Sequence, residues 1–150
     1  MRFPNSRSPA DLLSHERAVV GAVARRLPGE ARKLLEDQVS RVGRVFRPRH
    51  VPELCLWSGG QDGEVGTGGA LFPRRDEFVL ARVALRCGSG LHRCEVVAVG
   101  GRVLALLMSP PLPGDGSFPV RIVGVEMGAD PMDPGDPGRR RERWLRPVLP

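Results

Sequence analysis

Tyrosine is absent from this 150-residue chain, lysine occurs once, as Lys33, and five phenylalanines and two tryptophans make up the aromatic complement. Cysteine is scarce as well. Cys55, Cys87 and Cys94 are odd in number and too few for a disulfide framework, so reduced thiols are expected and the core alone must carry the fold. Long apolar runs are missing. The strongest charge-free run, Val103 to Met108, falls far short of the roughly 20 residues a bilayer span needs, which excludes a transmembrane helix. Behind Arg2 and Arg7 there is no apolar stretch of the kind a secretory signal carries, so a cytoplasmic protein is expected.

What is abundant is arginine, glycine and proline. Every one of the 23 basic residues except Lys33 is arginine, beside 19 glycines and 15 prolines, the usage expected of a GC-rich bacterial genome. The net charge of +6 and the isoelectric point near 10.8 therefore point less strongly to a polyanion than they would in an unbiased composition. With 41% hydrophobic and 27% charged residues the chain fits one globular domain.

The pattern begins with helices. Ser8 is placed to cap a helix with Pro9 in its first turn and Asp11 closing a weak capping box. Leu12, Leu13, Val19, Val20, Val23 and Leu27 then recur at helical spacing, and Pro28-Gly29 stops the run. A second stripe of Ala31, Leu34, Leu35, Val39 and Val42 follows, with Gly43 where a left-handed C-terminal residue would sit. So short a connection predicts a helical hairpin, and two amphipathic helices need a further layer on which to bury their stripes.

That layer reads as an antiparallel sheet. Residues 44–47 and 53–57, separated by Pro48 and Pro52, read as edge strands, and the six-glycine segment 58–69 as a mobile loop. From 77 to 109 three strands are joined by turns at Gly88-Ser89 and Gly100-Gly101. The first turn pairs Leu85 with His92, Val83 with Cys94, Ala81 with Val96 and Val79 with Ala98. The second pairs Ala98 with Val103, Val96 with Ala105 and Cys94 with Leu107. Both choose one apolar face, and the other face sets Arg82 against Glu95. A last strand runs from Phe118 to Met127. The expected fold is thus α+β: an N-terminal helical hairpin packed on a four- or five-stranded antiparallel meander, with residues 1–128 forming the domain and 129–150 a disordered Pro/Gly- and Arg-rich tail.

Chemistry is harder to find. Cys87, His92 and Cys94 lack a second ligand pair at zinc spacing, and residues 58–69 lack the lysine and helix of a phosphate cradle. Ser89 sits in a turn and not a nucleophile elbow, while Asp76-Glu77 and Glu36-Asp37 are adjacent and so diverge. No catalytic residue, metal or cofactor is assigned on this reading. An enzyme would have to assemble its groups from distant positions.

Two surfaces remain. On the sheet face opposite the core, Leu80 and Val97 pair with Leu104, with Phe78, Leu106 and Met108 nearby, an apolar patch that needs a cover. It predicts a non-enzymatic protein-binding or self-associating regulatory module. The alternative is nucleic acid, held by Arg25, Arg26, Arg32, Lys33, Arg41 and Arg44 together with Arg139, Arg140, Arg141 and Arg143, with Trp144 stacking on an unpaired base.

Overall fold

The computed structural model describes residues 12–46, 53–58, 70–112 and 119–134. The α+β expectation holds. Helices α1 (Ser14–Arg26) and α2 (Gly29–Ser40) lie against an antiparallel sheet of β1 (Val42–Phe46), β2 (Glu53–Ser58), β3 (Phe78–Cys87), β4 (Gly90–Val99), β5 (Arg102–Ser109) and β6 (Val120–Met127). The strand order is β1-β2-β5-β4-β3-β6. Six strands are present where four or five were expected, and only β3-β4-β5 is a meander. β6 crosses back to pair with β3, and β2 is interior because β5 pairs with it, leaving β1 and β6 at the ends.

The helices start and stop for local reasons. The proposed cap residues Ser8, Pro9 and Asp11 lie outside the described residues. At Ser14 the first turn is secured by Glu16, whose carboxylate accepts the Leu13 N–H at 2.7 Å, while Arg25 and Arg26 favour the C-terminal end of the helix dipole. Pro28 separates the helices, as expected. α2 closes at Arg41, whose N–H donates to Asp37 and Gln38 carbonyls, and Gly43 belongs to β1 at a register irregularity and not to a helix cap. Val19, Val23, Ala31 and Leu35 are fully enclosed and join Phe78, Leu80, Val83, Leu85, Val96 and Leu106 in one core. This defines the helix-facing side of the sheet.

Both glycine turns are where the pattern puts them, with φ of 60° at Gly88, 63° at Gly100 and 86° at Gly101. Leu85–His92, Val83–Cys94, Ala81–Val96 and Ala98–Val103 pair as expected, and Arg82 Nε lies 3.2 Å from Glu95 Oε2. Two bulges then change the register. Leu80 is extra between Val79 and Ala81, so Val79 meets Val97 and Phe78 meets Ala98. Leu104 is extra in β5, so Val97 meets Ala105, Val96 meets Leu106 and Cys94 meets Met108. The predicted pairs Val79–Ala98, Val96–Ala105 and Cys94–Leu107 are therefore each displaced by one. A bulge sets two residues against one and reverses the in-out parity beyond it.

Two backbone crossings tie the layers together. Residues 70–77 run over the β4–β5 turn: Phe72 N–H donates to Gly101 O at 2.8 Å and Gly100 N–H to Arg75 O at 3.1 Å. A side chain at Gly101 would stand 2.8 Å from the Phe72 carbonyl. Gln38, only 5% exposed, completes the crossing from α2; its amide donates to Gly101 O (2.9 Å) and Ala70 O (3.2 Å) and accepts the Val103 N–H (3.0 Å). At the other crossing, the carbonyls of Leu80 and Val79 accept N–H groups from Gly128 (2.8 Å) and Ala129 (3.0 Å), which satisfies the bulge. A Cβ at Gly128 would overlap Val79 O. The chain stays with the body through this region: Pro131 is buried, its carbonyl accepts Arg74 N–H at 3.1 Å, and Met132 packs on the core. The glycine-rich 59–69 loop and the predicted tail from 135 onward lie outside the described residues.

Candidate interaction surface at the β6 edge

β6 is an outermost strand, held on one side by β3. Among the described residues no strand takes up its other side. Its own bulge decides which way each side chain points. Ile122 pairs with Leu85 and Gly124 with Ala84, so Val123 is the extra residue. Val120, Ile122, Val125 and Met127 consequently face the helices, and Arg121, Val123, Gly124 and Glu126 face away. The four helix-side residues are only half-buried although they pack against the core, and the edge thus leaves an apolar row partly uncovered.

The outward face of this end is charged, with two apolar exceptions. Leu91 (50% exposed) and Val123 (48%) are the large hydrophobic residues most open to solvent among those described. Leu91 stands beside Arg86, and Arg86 beside Arg121, so two arginines are cross-strand neighbours in one row. Like charges directly opposite one another disfavour a sheet. One row set further along, Glu126 pairs in register with Arg82, which already holds Glu95.

Four of the six residues predicted for an apolar outer face point to the helix side instead. Phe78, Leu80, Val97 and Leu106 are buried, Leu104 and Met108 half-buried, and Phe78, Leu80, Leu106 and Met108 belong to the helix-side core. The bulges at Leu80 and Leu104 are the cause. Val97 does face away, but with Val79 and Ala105 in a small buried cluster flanked by Val99 and Leu107. On the basic alternative, Arg32 and Arg41 are committed to helix-surface ion pairs with Glu36 (2.7 Å) and Asp37 (3.1 Å), while Arg25, Arg26 and Lys33 are exposed. The side chain of Arg44, and Arg139, Arg140, Arg141, Arg143 and Trp144, lie outside the described residues.

No family model, curated protein or solved structure matches this chain. Its chemistry must be read from its own groups. Burial, followed by the carboxylates of Glu16 and Glu95, pushes the Cys94 thiol up to about 12, so it stays protonated at neutral pH and is no nucleophile. His92 is buried, with Nδ1 donating to Pro110 O at 2.7 Å. His15 Nε2 lies 3.9 Å from Glu16 Oε2, and its Nδ1 is buried with no hydrogen-bond partner among the described residues. Among the described residues no group of three or more His, Cys, Asp or Glu is placed to hold a metal. Nor is any helix there long and apolar enough to cross a membrane. A groove of about 350 Å³ between α1 and α2 has Leu12, Val20 and Val39 on its walls and Arg17, Arg25 and the Arg32–Glu36 pair around them.

Proposed function

We propose that the protein is a non-enzymatic interaction module that binds protein through the β6 edge and the outward face beside it. The observation that carries this reading is the half-covered apolar row of Val120, Ile122, Val125 and Met127 along a strand edge that no other described strand pairs. An added strand would pair with the side of β6 that no described strand occupies and cover that row in one step, the mode by which extended segments join exposed sheet edges. Exposed Val123 adds apolar area on the outward face of the same strand, and Leu91 lies two strands away on that face. The protonated Cys94 and carbonyl-bound His92 support a binding role over a catalytic one.

A photo-crosslinking side chain at position 123, in the full chain produced in living cells, tests the reading. A discrete protein adduct at 123, absent when the same group is placed at exposed Glu30 on α2, is the expected result. No adduct at position 123 overturns the proposal.

A further inference from the structure

We infer that the partner at the β6 edge is a second copy of this chain, joined β6 to β6 in one antiparallel register centred between Val123 and Gly124. The inference rests on the β6 edge being the binding surface and names its occupant.

The argument starts from the bulge. From Val120 to Met127 the side chains run in, out, in, out, out, in, out, in, where "in" is toward the helices. Without an irregularity an eight-residue strand alternates strictly, and its reversal puts every side chain on the wrong face. With Val123 inserted, the order reads the same in both directions. Two copies related by a two-fold axis through the centre of β6 therefore match face to face at all eight positions, and no other antiparallel register does so over the full strand. A bulge and charged residues ordinarily protect an edge against indiscriminate pairing. Here they leave one pairing open.

That register is also the complementary one. On the helix side it sets Val120 against the copy's Met127 and Ile122 against the copy's Val125, so the half-covered row meets its own counterpart. On the outward side it sets Arg121 against the copy's Glu126, and by symmetry Glu126 against the copy's Arg121. Within one chain Arg121 has Arg86 as its cross-strand neighbour, whereas in the pair an acid arrives on its other side. The outward row then reads Arg86, Arg121, then Glu126, Arg82 and Glu95 of the copy, with the charges alternating from Arg121 onward.

The test is a charge exchange read by sedimentation equilibrium of the full chain. Arg121 and Glu126 are both exposed, so each can be reversed in a folded chain, with circular dichroism as the check. The wild-type chain is expected to dimerise. Arg121→Glu opposes two acids across the axis and Glu126→Arg two arginines, so each variant alone should dissociate about tenfold or more readily. Mixing the two variants opposes Glu with Arg at both contacts, and a heterodimer should form with affinity within about threefold of the wild type. A monomeric wild-type chain overturns the inference. So does a dimer whose affinity neither reversal weakens, or one that mixing fails to restore. If the chain is monomeric but position 123 still cross-links to a different protein, the self-pairing fails while the β6 binding surface stands. If position 123 forms no adduct at all, both fail.

Discussion

Gln38 offers the sharpest test of how the helices are fixed to the sheet. Among the described residues the Gln38 side chain alone accepts the Val103 N–H at a buried position, whereas Gly101 O also accepts the Phe72 N–H and Ala70 is exposed to water. Gln38→Leu keeps the volume and strands that one buried donor. The expected cost is about 2–3 kcal/mol, the penalty of an unsatisfied buried amide, or about 4–12 °C in Tm for a chain this size. Gln38→Glu separates hydrogen bonding from packing. The carboxyl can still accept from Val103, but it can donate to Gly101 O only when protonated, and burial between carbonyls raises its folded pKa. The folded state then binds the proton more tightly than the unfolded chain. Stability should be nearest wild type below the unfolded carboxyl pKa of about 4.3 and should fall, by up to about 1.4 kcal/mol per pH unit, as pH rises toward the folded pKa. Urea denaturation of the three proteins at pH 4 and pH 7 measures this. A leucine variant as stable as wild type, or a glutamate variant whose deficit is the same at both pH values, would refute the reasoning.

Two further perturbations probe the sheet. Gly128→Ala forces a Cβ onto the Val79 carbonyl and breaks the two hydrogen bonds that satisfy the Leu80 bulge; a loss of about 2–4 kcal/mol is expected. Hydrogen exchange should then rise in β6 well before it rises in β4. Cys94, with its thiol raised from 9.0 to about 12 in the fold, should resist thiol reagents until the protein unfolds, while half-buried Cys87 reacts first. Its contribution is fully present below the unfolded pKa of about 9 and fades as pH climbs through the folded value. Cys94→Val should remove that part of the alkaline loss, and identical alkaline profiles would argue against the burial.

Much of this architecture is legible in the residues because turn chemistry acts from the turn outward. Gly88 and Gly100-Gly101 adopt the positive φ that two-residue hairpin loops require, and they fix Leu85–His92, Val83–Cys94 and Ala98–Val103 without help from the rest of the fold. Legibility ends at the bulges. Leu80 and Leu104 are ordinary aliphatic residues in aliphatic strands, and what holds the first of them out of register is a distant backbone, that of Gly128 and Ala129. The parity change sends Phe78, Leu80 and Leu106 into the core, so a patch read on the outer face is internal. At β6 a mark does exist. Gly124 interrupts a run of β-branched residues, and glycine inside a strand often signals a bulge. The neighbour of β6 has no such mark, since alternation tells which face a residue takes and is silent about which strand lies alongside.

Hydrogen exchange of the β6 amides as a function of protein concentration addresses the binding edge most directly. Amides of β6 that β3 does not satisfy should exchange quickly in dilute protein and become protected as concentration rises, while β4, enclosed between β3 and β5, is unchanged. Rapid exchange of those amides at every concentration, in a chain that otherwise shows the protection of a folded sheet, would contradict the self-paired β6 edge.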